Sequence, residues 1–169
     1  MILGSGNIAK ALEGLDNENL VFFAKGVSDS SCTNYGEFDR EFAELRKIDK
    51  TKHIVYFSNL GVYRWDSDYI RHKIAMEDAI RDMFKYYTIV RIEVIRWGTN
   101  PNTIHNYFRR MIKEGKPVTI QDTYRYVLGL NEFREWIGYI KPFTRGEIFI
   151  MGEKMHVSEI YKQVLEDKL

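Results

Sequence analysis

Apolar residues fall along this chain in two kinds of run. Unbroken stretches, Leu20-Val21-Phe22-Phe23-Ala24, His53-Ile54-Val55-Tyr56-Phe57 and Thr88-Ile89-Val90-Arg91-Ile92, read as strands buried on both faces. Elsewhere the apolar positions are spaced. Phe38, Phe42 and Leu45 mark one face of a helix, and 69–86 reads as a long helix with Ile70, Ile74, Met76, Ile80, Met83 and Phe84 available for packing. Met1-Ile2-Leu3 is a minimal strand that enters a glycine turn and then a helix-like segment at 10–15. Downstream the pattern predicts helices over 104–114, 131–137 and 157–165, with Asn102 or Thr103 as the first N-cap, and short strands at 118–120, 125–128 and 147–150. Strands alternating with helices define an α/β, doubly wound parallel sheet covered on both faces. Ligand chemistry in such a sheet belongs beyond the carboxyl ends of the strands, where residues 4–9, 24–26, 58–59 and the segment after Ile92 fall.

Length and composition narrow the class. At 169 residues, 44% hydrophobic and 29% charged, the chain is an ordinary globular domain able to bury a real core. A net charge of +1 provides no global field toward nucleic acid or membrane, and Arg109-Arg110 with Lys113 reads as a solvated face. The single Cys32 excludes an internal disulfide framework. The opening residues have no basic segment before a long apolar run, and no stretch approaches the roughly 18 apolar residues of a membrane span, so a cytoplasmic protein is expected. Neither a nucleic-acid partner nor a metal is expected.

Two short motifs carry chemistry. Gly4-Ser5-Gly6-Asn7-Ile8-Ala9 has the G-x-G-x-x-A form of a dinucleotide turn, in which glycines let the backbone approach a pyrophosphate; a plain glycine turn is the alternative. In Asp68-Tyr69-Ile70-Arg71-His72-Lys73 a tyrosine and a lysine lie one helical turn apart. The spacing serves equally as a surface pair. If the two share a site, the ammonium favours the phenolate and lowers the tyrosine pKa toward working pH, which makes a general acid or base at a hydroxyl or carbonyl.

Taken in order, these stretches resemble the extended short-chain dehydrogenase/reductases, the NAD-dependent epimerase/dehydratase family of nucleotide-sugar enzymes. Residues 2–9 are similar to its cofactor loop, Phe23-Ala24-Lys25-Gly26 to the strand end near the cofactor ribose, and Val55 to Tyr63 to the strand with the catalytic Ser or Thr. Tyr69-x-x-x-Lys73, with His72 and Glu77, falls on the catalytic pair; Asn100-Pro101-Asn102-Thr103 resembles the loop entering the substrate side. Arg125-Tyr126-Val127-Leu128 resembles a segment whose arginine meets a nucleotide-sugar diphosphate. The resemblance implies a Rossmann-like fold with NAD or NADP held by Gly4, Ser5, Gly6, Asn7, Ile8, Ala24, Lys25, Gly26, Tyr69 and Lys73. It implies catalysis by Tyr69, Lys73, Ser58 and Asn59, with Lys73 also on the nicotinamide ribose. A small substrate, possibly a nucleotide sugar, would lie on Asn100, Asn102, Thr103 and Arg125. The resemblance also implies a homodimer or higher homo-oligomer, built on the helices of Phe38 and Tyr69, with exposed Met76, Met83 and aromatic residues on one side as its sign.

The departures are also legible. The family's Ser/Thr position falls on Asn59, and Ser58 is one residue early. The stretch between Leu12 and Leu20 is too short for another strand-helix-strand, so the adenosine-side β-α-β unit is expected to be missing, and with it the residue that selects NAD or NADP. Asp29 lies about 20 residues past the glycine turn, where a ribose-binding acid would sit if 20–24 were instead the second strand. The loop at 63–69 is short, and Glu93-Val94-Ile95-Arg96-Trp97 replaces the family's segment there. The expected organisation is one truncated domain, with a nucleotide-binding core at 1–98 and a very small substrate lobe at 99–169. Two functions are consistent with it: a minimal NAD(P)-dependent oxidoreductase or epimerase, and a non-catalytic relative serving as a structural or regulatory subunit.

Overall fold

The three unbroken apolar runs are neighbours in one sheet. The computed structural model, which describes residues 1–15 and 17–167, contains β1 (Ile2–Leu3), α1 (Asn7–Ala11), β2 (Leu20–Phe23), α2 (Tyr35–Arg46), β3 (His53–Asn59), a 3-10 turn (Leu60–Tyr63) and α3 (Asp68–Met83). Then come β4 (Tyr86–Ile92), β5 (Val94–Ile95), α4 (Ile104–Lys113), β6 (Tyr124–Leu128), α5 (Leu130–Gly138), β7 (Arg145–Phe149), β8 (Glu153–His156) and α6 (Val157–Glu166). The large sheet is parallel throughout, in the order β1-β2-β3-β4-β7. This is the shortened Rossmann-like fold expected. Because β2 lies between β1 and β3, it cannot be the second strand of a dinucleotide fold, which would lie on the outer side of β1.

Alternation along the strands divides the core into two layers. Leu20, Phe22, Val55, Phe57, Val90 and Ile92 face one side, where Ala11 and Leu12 of the first helical segment and Phe133 and Ile137 of α5 cover them. Val21, Phe23, Ile54, Tyr56 and Ile89 face the other, under Leu45, Met76, Ile80 and Phe84. The β1-to-β2 and β2-to-β3 connections step the same way across the sheet, yet α1 and α2 lie on opposite faces. The two crossovers therefore have opposite hands, although nearly all parallel crossovers are right-handed. With no β-α-β unit between them, β1 joins directly to a strand whose own following helix lies on the other face.

Several sequence expectations shift. The long helix ends at Met83, not Tyr86: Phe84 turns extended and buries its ring, and Tyr86 and Tyr87 pair with His53 and Ile54 as the start of β4. Met76 is fully buried and Met83 is half-buried against the same core, so neither marks an exposed dimer face; Ile74 points to solvent instead. Residues 118–120 form no strand, although Val118 and Ile120 pack on the small core. That core belongs to a second sheet, β5-β6-β8, whose Val127 and Met155 are covered by Phe108 of α4 and by Ile160 and Val164 of α6. Between β6 and β8 the chain returns to the large sheet as α5 and β7, so the spatial division does not follow a cut at residue 98. Among the described residues no helix is long and apolar enough to cross a membrane.

His53 enters β3 fully buried, with Nε2 2.9 Å from Thr88 Oγ1. Burial lowers its pKa to about 4, and burial first, then Arg96 and Arg109, does the same to His105. The unfolded chain therefore binds more protons between pH 6.5 and 4. Stability is expected to be full above pH 6.5 and to fall as pH drops toward 4. Thermal melts of His53→Gln should show a shallower decline over that interval; parallel declines would remove His53 as a cause.

Candidate active-site cleft

Every residue assigned a role from the sequence lines one cleft of about 1320 Å³ at the carboxyl ends of the parallel strands. That exceeds the roughly 300–1,000 Å³ of an ordinary ligand pocket. The glycine loop forms one wall. Gly4 has φ +130°, and a Cβ there would lie 2.4 Å from the Ala24 carbonyl oxygen, so only glycine lets β1 run this close to the end of β2. Gly6 faces open space. The helix that follows is only five residues long and begins at Asn7, not at Lys10. Asn7 is also drawn sideways: its Oδ1 accepts from Thr99 N at 3.2 Å, and its carbonyl accepts from Trp97 Nε1 at 3.3 Å. Gly98, at φ +86°, makes room for that contact, since a Cβ there would overlap the Asn7 amide.

Tyr69 and Lys73 do share a site, but a third group decides the electrostatics. The Lys73 ammonium is buried 5.7 Å from the Tyr69 ring centroid and donates to Tyr56 OH at 2.9 Å and to Glu41 Oε1 at 3.1 Å. Glu41, fully buried on α2, also accepts from Val27 N at 2.8 Å, Tyr56 OH at 2.9 Å and His72 Nε2 at 2.8 Å. His72 stacks on Phe38 with ring centroids 4.4 Å apart. Gly26 closes the cluster from the cleft side: a Cβ there would lie 2.8 Å from Lys73 Nζ and 2.9 Å from Glu41 Oε1. Burial pushes the Glu41 acid up, but Lys73, His72 and the Val27 amide outweigh it and hold the pKa at about 2. The Tyr69 phenol goes the other way. Burial raises its pKa, Lys73 and the Asn59 amide pull it down, Glu41 pushes it up again, and the net direction is upward. Lys73 does pull the phenol down, as expected from the sequence, but burial outweighs it, with Glu41 adding in the same direction, so the net shift is upward.

Asn59 ends β3 with its Oδ1 accepting from Gly61 N at 2.6 Å, which leaves its NH2 group for Tyr69. Ser58, on the opposite side of the strand, donates to Glu77 Oε1 at 2.6 Å. Glu77 also receives Arg91 Nε at 2.9 Å and Arg81 at 2.9 Å, and Arg91 reaches Glu147 at 2.6 Å. Ser58 is thus part of a buried ion-pair chain that fastens α3 to β4 and β7. It is not a free substitute for the family's catalytic hydroxyl.

On the lobe side the Arg125 guanidinium stacks 4.7 Å from the Trp65 ring, with its Nε 3.6 Å from Glu93 Oε1. Asn100 and Thr103 maintain their own loop: Asn100 Oδ1 accepts from Asn102 N at 3.0 Å, and Thr103 Oγ1 caps α4 at Asn106 N. Arg110, read from sequence as solvated, lines the cleft with Tyr107, whereas Arg109 donates to Asn106 Oδ1. Six cations line the cleft, Lys10, Lys25, Arg40, Lys73, Arg110 and Arg125, against three carboxylates, Asp29, Glu44 and Glu93. The excess favours an anionic ligand. Nothing in the sequence pattern gives Glu41, Glu77 or Glu93 a place in the site. The available sign for Glu41 was a carboxylate spaced within the Phe38, Phe42 and Leu45 stripe.

The parallel sheet, with its glycine turn and a basic cleft beyond the strand ends, defines a shortened Rossmann-like α/β fold. Solved structures share this fold. The Bordetella bronchiseptica enzyme WbmG, solved with NAD and UDP, superposes with a TM-score of 0.67 at 16% identity, over 88% of this chain and 56% of its own. UDP-N-acetylglucosamine 4-epimerase of Methanobrevibacter ruminantium, in complex with UDP-N-acetylmuramic acid, gives 0.60 at 16% identity over 92% and 63%. dTDP-4-dehydrorhamnose reductase of Bacillus anthracis, in complex with NADP, gives 0.65 at 14% identity over 89% and 62%. The likeness is one of fold, and the chain spans little more than half the length of these enzymes. No family model and no curated protein matches the sequence.

Proposed function

We propose that the chain is a minimal NAD- or NADP-dependent oxidoreductase or epimerase acting on a nucleotide sugar or a smaller carbonyl or hydroxyl compound. One observation carries the reading: the glycine loop, Asn59, Tyr69 and Arg125, distant in sequence, line a single basic cleft beyond the strand ends. The loop suits a nucleotide phosphate. Gly6 has no neighbour in the Cβ direction, and Lys10 beside it makes no ion pair among the described residues. A nicotinamide bound there would supply hydride. Tyr69 keeps its proton through the neutral range, so its role is to donate to a carbonyl oxygen, with the Asn59 amide steadying the phenol oxygen. Arg125, braced by Trp65 and Glu93, would meet the substrate diphosphate. The UDP-N-acetylglucosamine 4-epimerase, the dTDP-4-dehydrorhamnose reductase and the NAD- and UDP-bound WbmG that share the fold support the same class.

The second reading, a nucleotide-binding subunit without turnover, is favoured by the Lys73 ammonium being held on Glu41 and Tyr56. Titration with NADH and NADPH tests the part common to both. Trp65 lies in the cleft, so saturable quenching of tryptophan emission is expected with at least one of them. Emission unchanged into the millimolar range with both would sink the nicotinamide reading.

A further inference from the structure

A dinucleotide fold holds its adenosine half over strands that lie beyond the first one, with a residue at the end of the second strand reaching the ribose. Here β1 is the edge strand. Its single paired edge is taken by β2, with Phe22 N donating to Met1 O at 2.9 Å and Ala24 N to Leu3 O at 2.8 Å; no strand among the described residues lies on its other side. Leu12 to Leu20 leaves no length for a strand and helix that could stand there. Asp29, the acid at the sequence distance of a ribose ligand, cannot replace it. It lies on the β2-to-α2 connection, on the inner side of β1, and its carboxylate accepts from Ser31 N at 2.9 Å and Ser31 Oγ at 2.7 Å.

The inner side is walled. From Gly6 the cleft runs past Ala24 and Gly26 to Asn59 and Tyr69, and the lobe closes it with Asn102 and Arg125. The cleft is therefore complete on the side of the reacting group and has no sheet beneath it on the side where an adenosine would lie.

We infer that this cleft takes a nicotinamide nucleotide by its nicotinamide, ribose and phosphate alone, so that a mononucleotide binds as well as a dinucleotide and the adenosine adds nothing. The inference rests on the nicotinamide reading above. It also predicts no NAD-versus-NADP selection, because the distinguishing phosphate is carried on the adenosine ribose, and no strand among the described residues lies beyond β1 to present a ribose ligand.

Titrations of the intact chain with NADH, NADPH and reduced nicotinamide mononucleotide, followed by tryptophan quenching, decide it. The three dissociation constants are expected to agree within about threefold, and adenosine, which lacks the phosphate that the glycine loop would hold, is expected not to compete with any of them. A dinucleotide that binds more than about tenfold tighter than the mononucleotide, or displacement by adenosine, overturns the inference and leaves the nicotinamide reading standing. Binding of none of the three overturns both.

Discussion

Replacing Glu41 with alanine is expected to lower the unfolding free energy by about 3–5 kcal/mol, as is typical when one partner of a buried ion pair is removed. The carboxylate accepts from Val27 N, Tyr56 OH, His72 and Lys73, all within 3.1 Å, and alanine would leave each without its acceptor. The most costly remnant is the Lys73 ammonium, 2% exposed, with only the Tyr56 hydroxyl to accept from it. Urea denaturation measures the loss. A Glu41→Leu/Lys73→Met double variant should recover much of it, because the charge is then removed together with its partner. A single variant within about 1 kcal/mol of wild type would mean that the cluster is solvated in the native protein.

The second large effect belongs to Tyr69. Tyr69→Phe deletes one hydroxyl from a side chain that stays buried beside Val27, Phe38 and Ile70. Turnover, read as nicotinamide absorbance change with nucleotide-sugar and small carbonyl substrates, is expected to fall by about 10²–10⁴-fold while nucleotide affinity holds. The sign of the phenol shift sets the direction of chemistry. A proton retained above the usual tyrosine range is available for carbonyl reduction at neutral pH, whereas alcohol oxidation needs the phenolate and should accelerate as pH rises. Undiminished turnover in the phenylalanine variant would place the proton donor elsewhere.

How far the sequence could be read depended on how local each signal was. Strands buried on both faces announce themselves as unbroken apolar runs, so β2, β3 and β4 were legible and the parallel sheet followed. The cleft residues were legible because a parallel sheet gathers its strand ends on one side, and a motif at each end is enough to bring them together. Two-residue β5 and the polar β8 carry no periodicity at all; they exist because β6 lies between them to pair with both. Charge at depth was the main blind spot. Glu41 looks like Glu37 and Asp39, its exposed neighbours on α2, until α2 packs against α3. Arg91 lies inside an apolar strand because Glu77 and Glu147 meet it there, from residues 14 and 56 positions away. The net direction at Tyr69 is hidden for the same reason, since the burial that outweighs Lys73 there is set by how α3 packs against residues distant in sequence.

The bond from Thr99 to the side chain of Asn7 has a further consequence. It ties the turn that would cradle a phosphate to the stretch that opens the small lobe, across 92 positions of sequence. Any coupling it carries between ligands seated on either side is reciprocal: whatever one gains in affinity from the other's presence, the other gains in equal measure. Cofactor and substrate would then report on each other through a single amide.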